Sequence, residues 1–263
     1  MTNTAAMKLI SFDVQADFAF FRKPETNNTI NLSYNIIHKP AILGFLGAVL
    51  GLAGYREKGK LPAYYEKLKG VKVGIEPLQH EKGNFAKTNI KYTNTIGYAN
   101  KGTNFLTEEL TLINPAYRIY LLLDEIDALH DQLLASLRKG DSVFIPYLGK
   151  NEFTAWWEPS SYKEHRFSDI TIRAGESVKI VTVFQKEIQL KGQLEAPFPD
   201  FSKPFNFEES PFVYFERLPK QFDEVLMQYE LVEFAYSTYQ IKNAQLLENL
   251  YFLDDLDAYA QLS

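Results

Sequence analysis

The residues best placed to do chemistry form a basic run between Lys82 and Thr103. It holds Lys82, Lys87, Lys91 and Lys101 and no acidic residue, in a chain of formal net charge −5. Phe85, Tyr92 and Tyr98 are interleaved with them, and Asn84, Asn89, Asn94 and Asn100 lie between. Lysines spaced along an extended hairpin or arm can track a phosphate backbone while the rings face unstacked bases. A solvated loop with incidental lysines is the competing reading. If all four lysines met one single strand, log K would fall with log salt at a slope of about −3, from roughly −0.7 per phosphate.

Three smaller cationic sites add to this run. Arg22 and Lys23 follow the aromatic group Phe18, Phe20 and Phe21, where a pair of cations can hold a phosphate. Lys39 precedes a glycine-rich apolar stretch. Gly149 allows a tight turn that displays Lys150 and Asn151. Trp156 and Trp157 offer rings to bases, or simply core. Other chemistry has little support. There is no cysteine, which removes disulfides, thiolate metal sites and cysteine nucleophiles. His38, His80, His130 and His165 are scattered without metal-binding spacing. No motif brings acid and base together, and Tyr34, Tyr55 and His38 are left as residual catalytic candidates.

The elements that must position these residues centre on 34–54, an extended run that breaks at Pro40 and becomes an apolar helix. Gly44, Gly47, Ala48 and Gly51 follow helical spacing, so one face is nearly bare backbone and is expected to lie close against a sheet. Lys8 to Gln15 reads as the first strand, Val71 to Ile75 as the second. Phe105 to Ile113 and Tyr117 to Leu123 flank the turn signal Asn114-Pro115. Ile126, Leu129, Leu133, Leu134 and Leu137 mark an amphipathic helix ending at Lys139-Gly140, with His130 on its exposed side. Val143 to Leu148 reads as a fourth core strand. Further on, Asp169–Ala174 and Ser177–Phe184 read as a hairpin, and Leu246 to Leu262 as a capping helix or docking tail.

Composition sets the outer limits. With 263 residues, 46% hydrophobic and 14% aromatic, the chain can bury a full core as one large domain or two small ones. Its acidic balance excludes a surface that attracts nucleic acid everywhere, so any such binding is local. The apolar run from Pro40 is too short for a bilayer and Arg56 ends it. No leader pattern is visible, and a cytoplasmic, soluble protein is expected.

Several phrases together resemble a known family. They are Phe18-Ala-Phe-Phe-Arg-Lys-Pro24, the Tyr34 to Pro40 stretch with its glycine helix, Asn114 to Tyr120, and Pro146-Tyr-Leu-Gly-Lys-Asn-Glu-Phe153. The chain is similar to the CRISPR-associated (Cas) proteins of family five, in the RAMP superfamily. That resemblance implies an α+β fold: a ferredoxin-like or RRM-like unit over 1–157 with a thumb-like insertion at about 82–103, then a smaller, mainly β part over 158–263 with an acidic tail. It implies a non-catalytic RNA-binding subunit of a type I interference (Cascade) complex in antiviral defence, capping the upstream handle of the guide RNA. Its partners would be that RNA and the backbone and large subunits, with no cofactor or metal. The RNA-contacting set is then Arg22, Lys23, Tyr34, His38, Lys39, Lys82, Lys87, Lys91, Tyr92, Lys101, Lys150 and Asn151. Some family members cut repeat RNA without metal, using a tyrosine and an adjacent lysine and histidine. Here the only adjacent pair is His38-Lys39, in reverse order and before the glycine helix. The missing Lys-His pair and the Pro146–Phe153 phrase lean toward type I-B. The alternatives are a repeat-processing endoribonuclease and, in a different class, a ferredoxin-like small-molecule-binding or scaffold domain.

Overall fold

A computed structural model describes residues 7–24, 29–93, 106–186, 188–190, 193–203 and 210–263. In chain order the first elements are β1 (Met7–Ala16), β2 (Phe18–Ala19), β3 (Phe21–Arg22), β4 (Ile30–Tyr34), α1 (Lys39–Leu50), α2 (Ala63–Leu68), β5 (Lys72–Leu78), β6 (Lys87–Thr93), β7 (Leu106–Ile113), β8 (Ala116–Asp124), α3 (Ala128–Lys139), β9 (Ala155–Trp157) and β10 (Lys163–His165). The molecule is mixed α/β, mostly strands with few helices. Among the described residues no helix is long and apolar enough to cross a membrane.

The first sheet is antiparallel throughout, in the order β10-β1-β8-β5, with β9 also pairing β1. Successive side chains of β1 point to opposite faces, and both faces are covered. Ile10, Phe12 and Val14 join the core formed with α1 and α3, where Phe12 and Trp157 pack on Phe45. Leu9 faces the other way, into a cluster with Tyr120, Leu122, Leu253 and Leu262. Burial on both sides explains why β8 is so nearly continuous in apolar residues. A second sheet runs β2-β7-β4-β3, with β4 parallel to β7 and β6 antiparallel to β7.

The remainder of the chain closes these sheets. A long hairpin of Val213–Asp223 and Gln228–Ser237 packs against α1, and Leu218 and Phe234 enter the same core as Ile10. The free edge of β5 is covered by Val183, whose N–H donates to the Ile75 carbonyl at 2.7 Å, and by Ser263, which exchanges backbone bonds with Val73 at 2.9 and 3.0 Å.

Several expectations are corrected here. Residues 143–148 form no strand. Their N–H groups at Val143 and Phe144 instead cap the carbonyls of Val49 and Ala48, and β9 and β10 take the sheet position. The 246–262 segment is not a helix but a hairpin, Leu250–Leu253 with Ala258–Gln261. Between 169 and 184 there is no paired hairpin; Val178 and Ile180 bridge instead to Ile241 and Tyr259. The bare face of α1 does not meet a sheet. Only Gly44 and Gly47 lie within the helix, Gly51 is its left-handed cap at φ 71, and a Cβ on Gly47 would stand 2.5 Å from Tyr64 Cβ, so α2 occupies that face. The bulky residues of α1 face the sheet because they carry the apolar area. His130 is half-buried, its Nδ1 accepting from the Asp124 N–H at 3.1 Å.

One polar node ties the parts together. Between β4 and α1, the buried Asn35 and Ile36 direct their backbone N–H groups at the Glu216 carboxylate at 3.0 to 3.1 Å. Lys23 Nζ pairs with the same carboxylate at 3.0 Å. The Asn35 side chain donates to the Gly83 carbonyl at 2.7 Å and accepts from Phe85 N–H and Lys87 Nζ, each at 3.0 Å. Tyr117 OH donates to the Asn35 carbonyl at 2.7 Å. Glu216→Ala leaves two buried N–H groups without their acceptor and removes the carboxylate that Lys23 pairs with. Urea unfolding is expected to show a loss of about 3–5 kcal/mol, and Glu216→Gln, which keeps an acceptor oxygen, a smaller one.

Candidate nucleic-acid interface

A cleft of about 670 Å3 opens beside α1. Its floor is the small-residue face of the helix: Pro40, Ala41, Gly44 and Ala48. Tyr64 and Tyr65 of α2 form one wall, Phe20 to Arg22 and residues 144–150 another, and Phe222 and Tyr229 of the long hairpin a third. The cleft exists because glycine appears where backbones meet. Gly149 sits at φ 85, and a Cβ there would collide with the Phe20 carbonyl oxygen. That contact, with the Phe20 N–H donating to the Leu148 carbonyl at 3.2 Å, pins the 144–150 segment to the strand that carries Arg22. The lining is rich in exposed rings: Tyr55 is 66% exposed, Phe144 54% and Tyr147 44%. Arg22 is exposed and makes no ion pair among the described residues.

The other expected RNA-contacting residues divide into exposed and engaged. Lys82 and Asn151 are exposed. Lys91 is exposed as well but pairs across the hairpin with Glu108 at 2.9 Å. Lys150 is held between Glu109 at 2.8 Å and Glu152 at 3.0 Å, with its Nζ 4.0 Å from the centre of the Tyr92 ring. Burial works against its charge, but hydrogen bonds to Glu109, Tyr92 and Glu152 outweigh that and raise its pKa. Lys23 serves Glu216 and lies 5.0 Å from the centre of the Tyr34 ring. Lys87 is half-buried on Asn35, and burial lowers its pKa. Lys39 donates to the Ser263 carbonyl at 3.0 Å, and burial, with Lys220 and Lys72 nearby, pushes its pKa down to about 8. Tyr34 is fully buried. His38 is buried as the N-cap of α1, its Nδ1 accepting from the Ala41 N–H at 3.3 Å. Lys101, with Tyr98, Asn94 and Asn100, lies outside the described residues.

The family model for CRISPR-associated protein (Cas_Cas5) matches residues 9–225, most of the chain. The chain belongs to this Cas5 family. No curated protein sequence matches it. Solved structures with a similar course include a chain of a CRISPR RNA-guided surveillance complex, with 11% identity, TM-score 0.48, and coverage of 90% of this Cas5-family chain and 92% of that one. A CRISPR protein from Archaeoglobus fulgidus gives 10% identity and TM-score 0.47, covering 97% and 98%. A chain from the Type III-B Cmr-beta complex bound to cognate target RNA and AMPPnP gives 12% identity and TM-score 0.40, covering 89% and 86%.

One cluster in this Cas5-family chain has the contacts of a nucleophile relay without its access. His165 Nε2 lies 2.8 Å from Ser11 Oγ, and Nδ1 lies 3.0 Å from both Asp255 oxygens. Ser11 is fully buried between strands, so no substrate can reach its hydroxyl, and the three residues join β1, β10 and the turn of the last hairpin. Sequence reasoning missed this cluster because its members lie 154 and 90 positions apart. It missed the tyrosine-lined cleft for the same reason: Tyr64, Tyr147 and Tyr229 come from three distant segments.

Two predictions follow from the cleft's supports. Burial pushes the His38 pKa down to about 3. The unfolded chain protonates this imidazole below about pH 6.5 and the folded chain does not until far lower, so stability falls as pH drops through that window. Relative to His38→Asn, which retains a capping acceptor, the wild type is expected to lose about 1.4 kcal/mol per pH unit between pH 6 and 4, read from urea midpoints. Gly149→Ala combines a left-handed backbone with a collision at Phe20, and thermal melting should report a loss of about 2 kcal/mol or more.

Proposed function

We propose that this chain is a non-catalytic, RNA-binding subunit of a type I CRISPR interference complex, of the I-B subtype. It caps the upstream handle of the guide RNA in the cytoplasm and contacts the backbone and large subunits. The observation that carries this reading is the exposed Arg22, without an ion pair among the described residues, on the rim of a tyrosine- and phenylalanine-lined cleft, in a chain of the Cas5 family. Rings and a planar cation are what a single strand with unstacked bases requires. The β1-α1-β5-β8-α3-β9 arrangement is read as a ferredoxin-like RAMP unit within 1–157, with a thumb-like insertion at about 82–103 that contains β6, and 158–263 as the β-rich companion.

The non-catalytic part of the proposal draws on His38 and Tyr34. A general acid or base needs a pKa near the working pH and access to substrate. His38 is buried, uncharged and occupied as a helix cap, and Tyr34 is fully buried.

The test uses one labelled CRISPR repeat RNA in chelator across a salt series, beside a variant with Arg22, Lys82 and Lys91 changed to alanine. Expected is binding without cleavage, with the log–log salt slope of the variant shallower by about 2, from roughly 0.7 per lost phosphate contact. Cleavage by the wild type would establish the endoribonuclease instead. Binding that ignores both salt and the three substitutions would sink the RNA-contact assignment.

A further inference from the structure

We infer that His80 is a proton-sensitive latch on the turn that leads from β5 into β6: its neutral imidazole holds the turn against the long hairpin, and protonation at Nδ1 releases it. The latch belongs to the chain alone and needs neither RNA nor another subunit.

The turn is closed but not relaxed. Glu81 and Asn84 exchange both backbone bonds at 2.9 Å, and the residues between them, Lys82 at φ 51 and Gly83 at φ 85, are both left-handed, as a tight hairpin turn of this length requires. Glycine takes that conformation freely, whereas Lys82, and Gln79 at φ 52 just before the turn, do not. Gly83 is also the point of contact with the long hairpin, since a Cβ there would stand 2.6 Å from Tyr214 Cβ. Such a backbone persists only while its surroundings hold it.

Two side chains do so, one on each backbone group of the buried Gly83. Asn35 Nδ2 donates to its carbonyl at 2.7 Å, and His80 Nδ1 accepts from its N–H at 3.0 Å. Only the imidazole can titrate. A backbone N–H can only donate, so Nδ1 carries no hydrogen in the closed turn and the ring hydrogen lies on Nε2, 3.4 Å from the Tyr236 hydroxyl. The Phe212 and Tyr236 rings stand edge-on to the imidazole, with centroids 5.4 and 5.3 Å away, and fix its plane. A second proton must therefore go to Nδ1. It points an N–H at the N–H of Gly83, and a buried donor loses its acceptor.

The groups that face the imidazole offer no counter-charge. From the long hairpin comes the Tyr236 hydroxyl, with the Phe212 ring beside it; the charged residues of its own turn are Glu81 and Lys82, both exposed, and among the described residues neither pairs with it. Burial keeps the ring's pKa below the ordinary histidine value. In the open turn the ring is free of that restraint and protonates near pH 6.5. The closed form is thus at its most favourable above that pH and loses ground as pH falls below it. An open hollow of about 600 Å3, lined by Gln79 to Lys82 and Asn84 to Ala86, leaves the released turn room to move.

The test is amide exchange in the full chain, read by NMR from about pH 7.5 to about pH 4.5 as protection factors. The Gly83 factor is expected to fall about tenfold per pH unit below about pH 6.5, the signature of one proton taken up on opening. Amides of β8 report global unfolding, including the effect of His38, and should keep higher factors throughout. His80→Asn puts an acceptor oxygen near the place of Nδ1 and cannot titrate, so its Gly83 factor should stay flat. His80→Ala removes the acceptor and should leave Gly83 poorly protected at every pH. If that variant unfolds, the asparagine variant and the wild-type imidazole 15N shifts carry the test, the shifts being expected to place the hydrogen on Nε2 at neutral pH. A Gly83 factor that stays constant while the ring titrates, that merely follows β8, or that falls equally in His80→Asn would overturn the latch, as would a hydrogen on Nδ1 at neutral pH.

Discussion

Glu216 brings a carboxylate into the interior at the point where the chain turns from β4 into α1. The backbone there has left a strand and has not yet entered the helix, so the N–H groups of Asn35 and Ile36 lack any regular partner. Buried donors without acceptors are costly, and the long hairpin provides the acceptor from 181 positions away. Asn35 then uses the other face of the same turn to hold the 83–87 segment from which β6 departs. The direction of α1, the seat of the long hairpin and the root of the β6–β7 hairpin are therefore fixed by one connected set of bonds. Each member lies in or near the core, where the low dielectric strengthens the set when complete and penalises any gap.

The same economy shapes the electrostatics. Most of the cations that look available in the sequence are committed within the fold: Lys23 to Glu216, Lys87 to Asn35, Lys39 to Ser263 and Lys150 to Glu109 and Glu152. Of the cations singled out from the sequence, Arg22 and Lys82 are left outward. A chain with net charge −5 thus presents local points of attraction rather than a basic surface.

How much of this the sequence discloses depends on the range of the interactions. β1, β8 and α3 are legible because their patterns are local: two-residue alternation with apolar filling, and helical spacing closed by Asp127 and Gly140. The glycine-rich helix is legible as a helix, but not which surface covers its bare side, because α2 is short and marked only weakly. The basic run from Lys82 looks free of acid along the chain. Its neighbour in space, β7, carries Glu108, which cross-strand pairing brings opposite Lys91. The cleft is invisible for a related reason, since its rings converge from α2, the 144–150 segment and the long hairpin.

The edge of β5 has a consequence for biosynthesis. Val73 and the residue that covers it, Ser263, are separated by 190 positions. At roughly 5–20 residues per second, a ribosome needs about 10–40 s to travel that distance. Once β8 has been made β5 can pair with it on one side, while the other side around Val73 stays an open strand edge, of the kind that recruits foreign strands, until Ser263 arrives. The nascent protein is therefore exposed to edge-to-edge association between the formation of its central sheet and the docking of Ser263 on Val73.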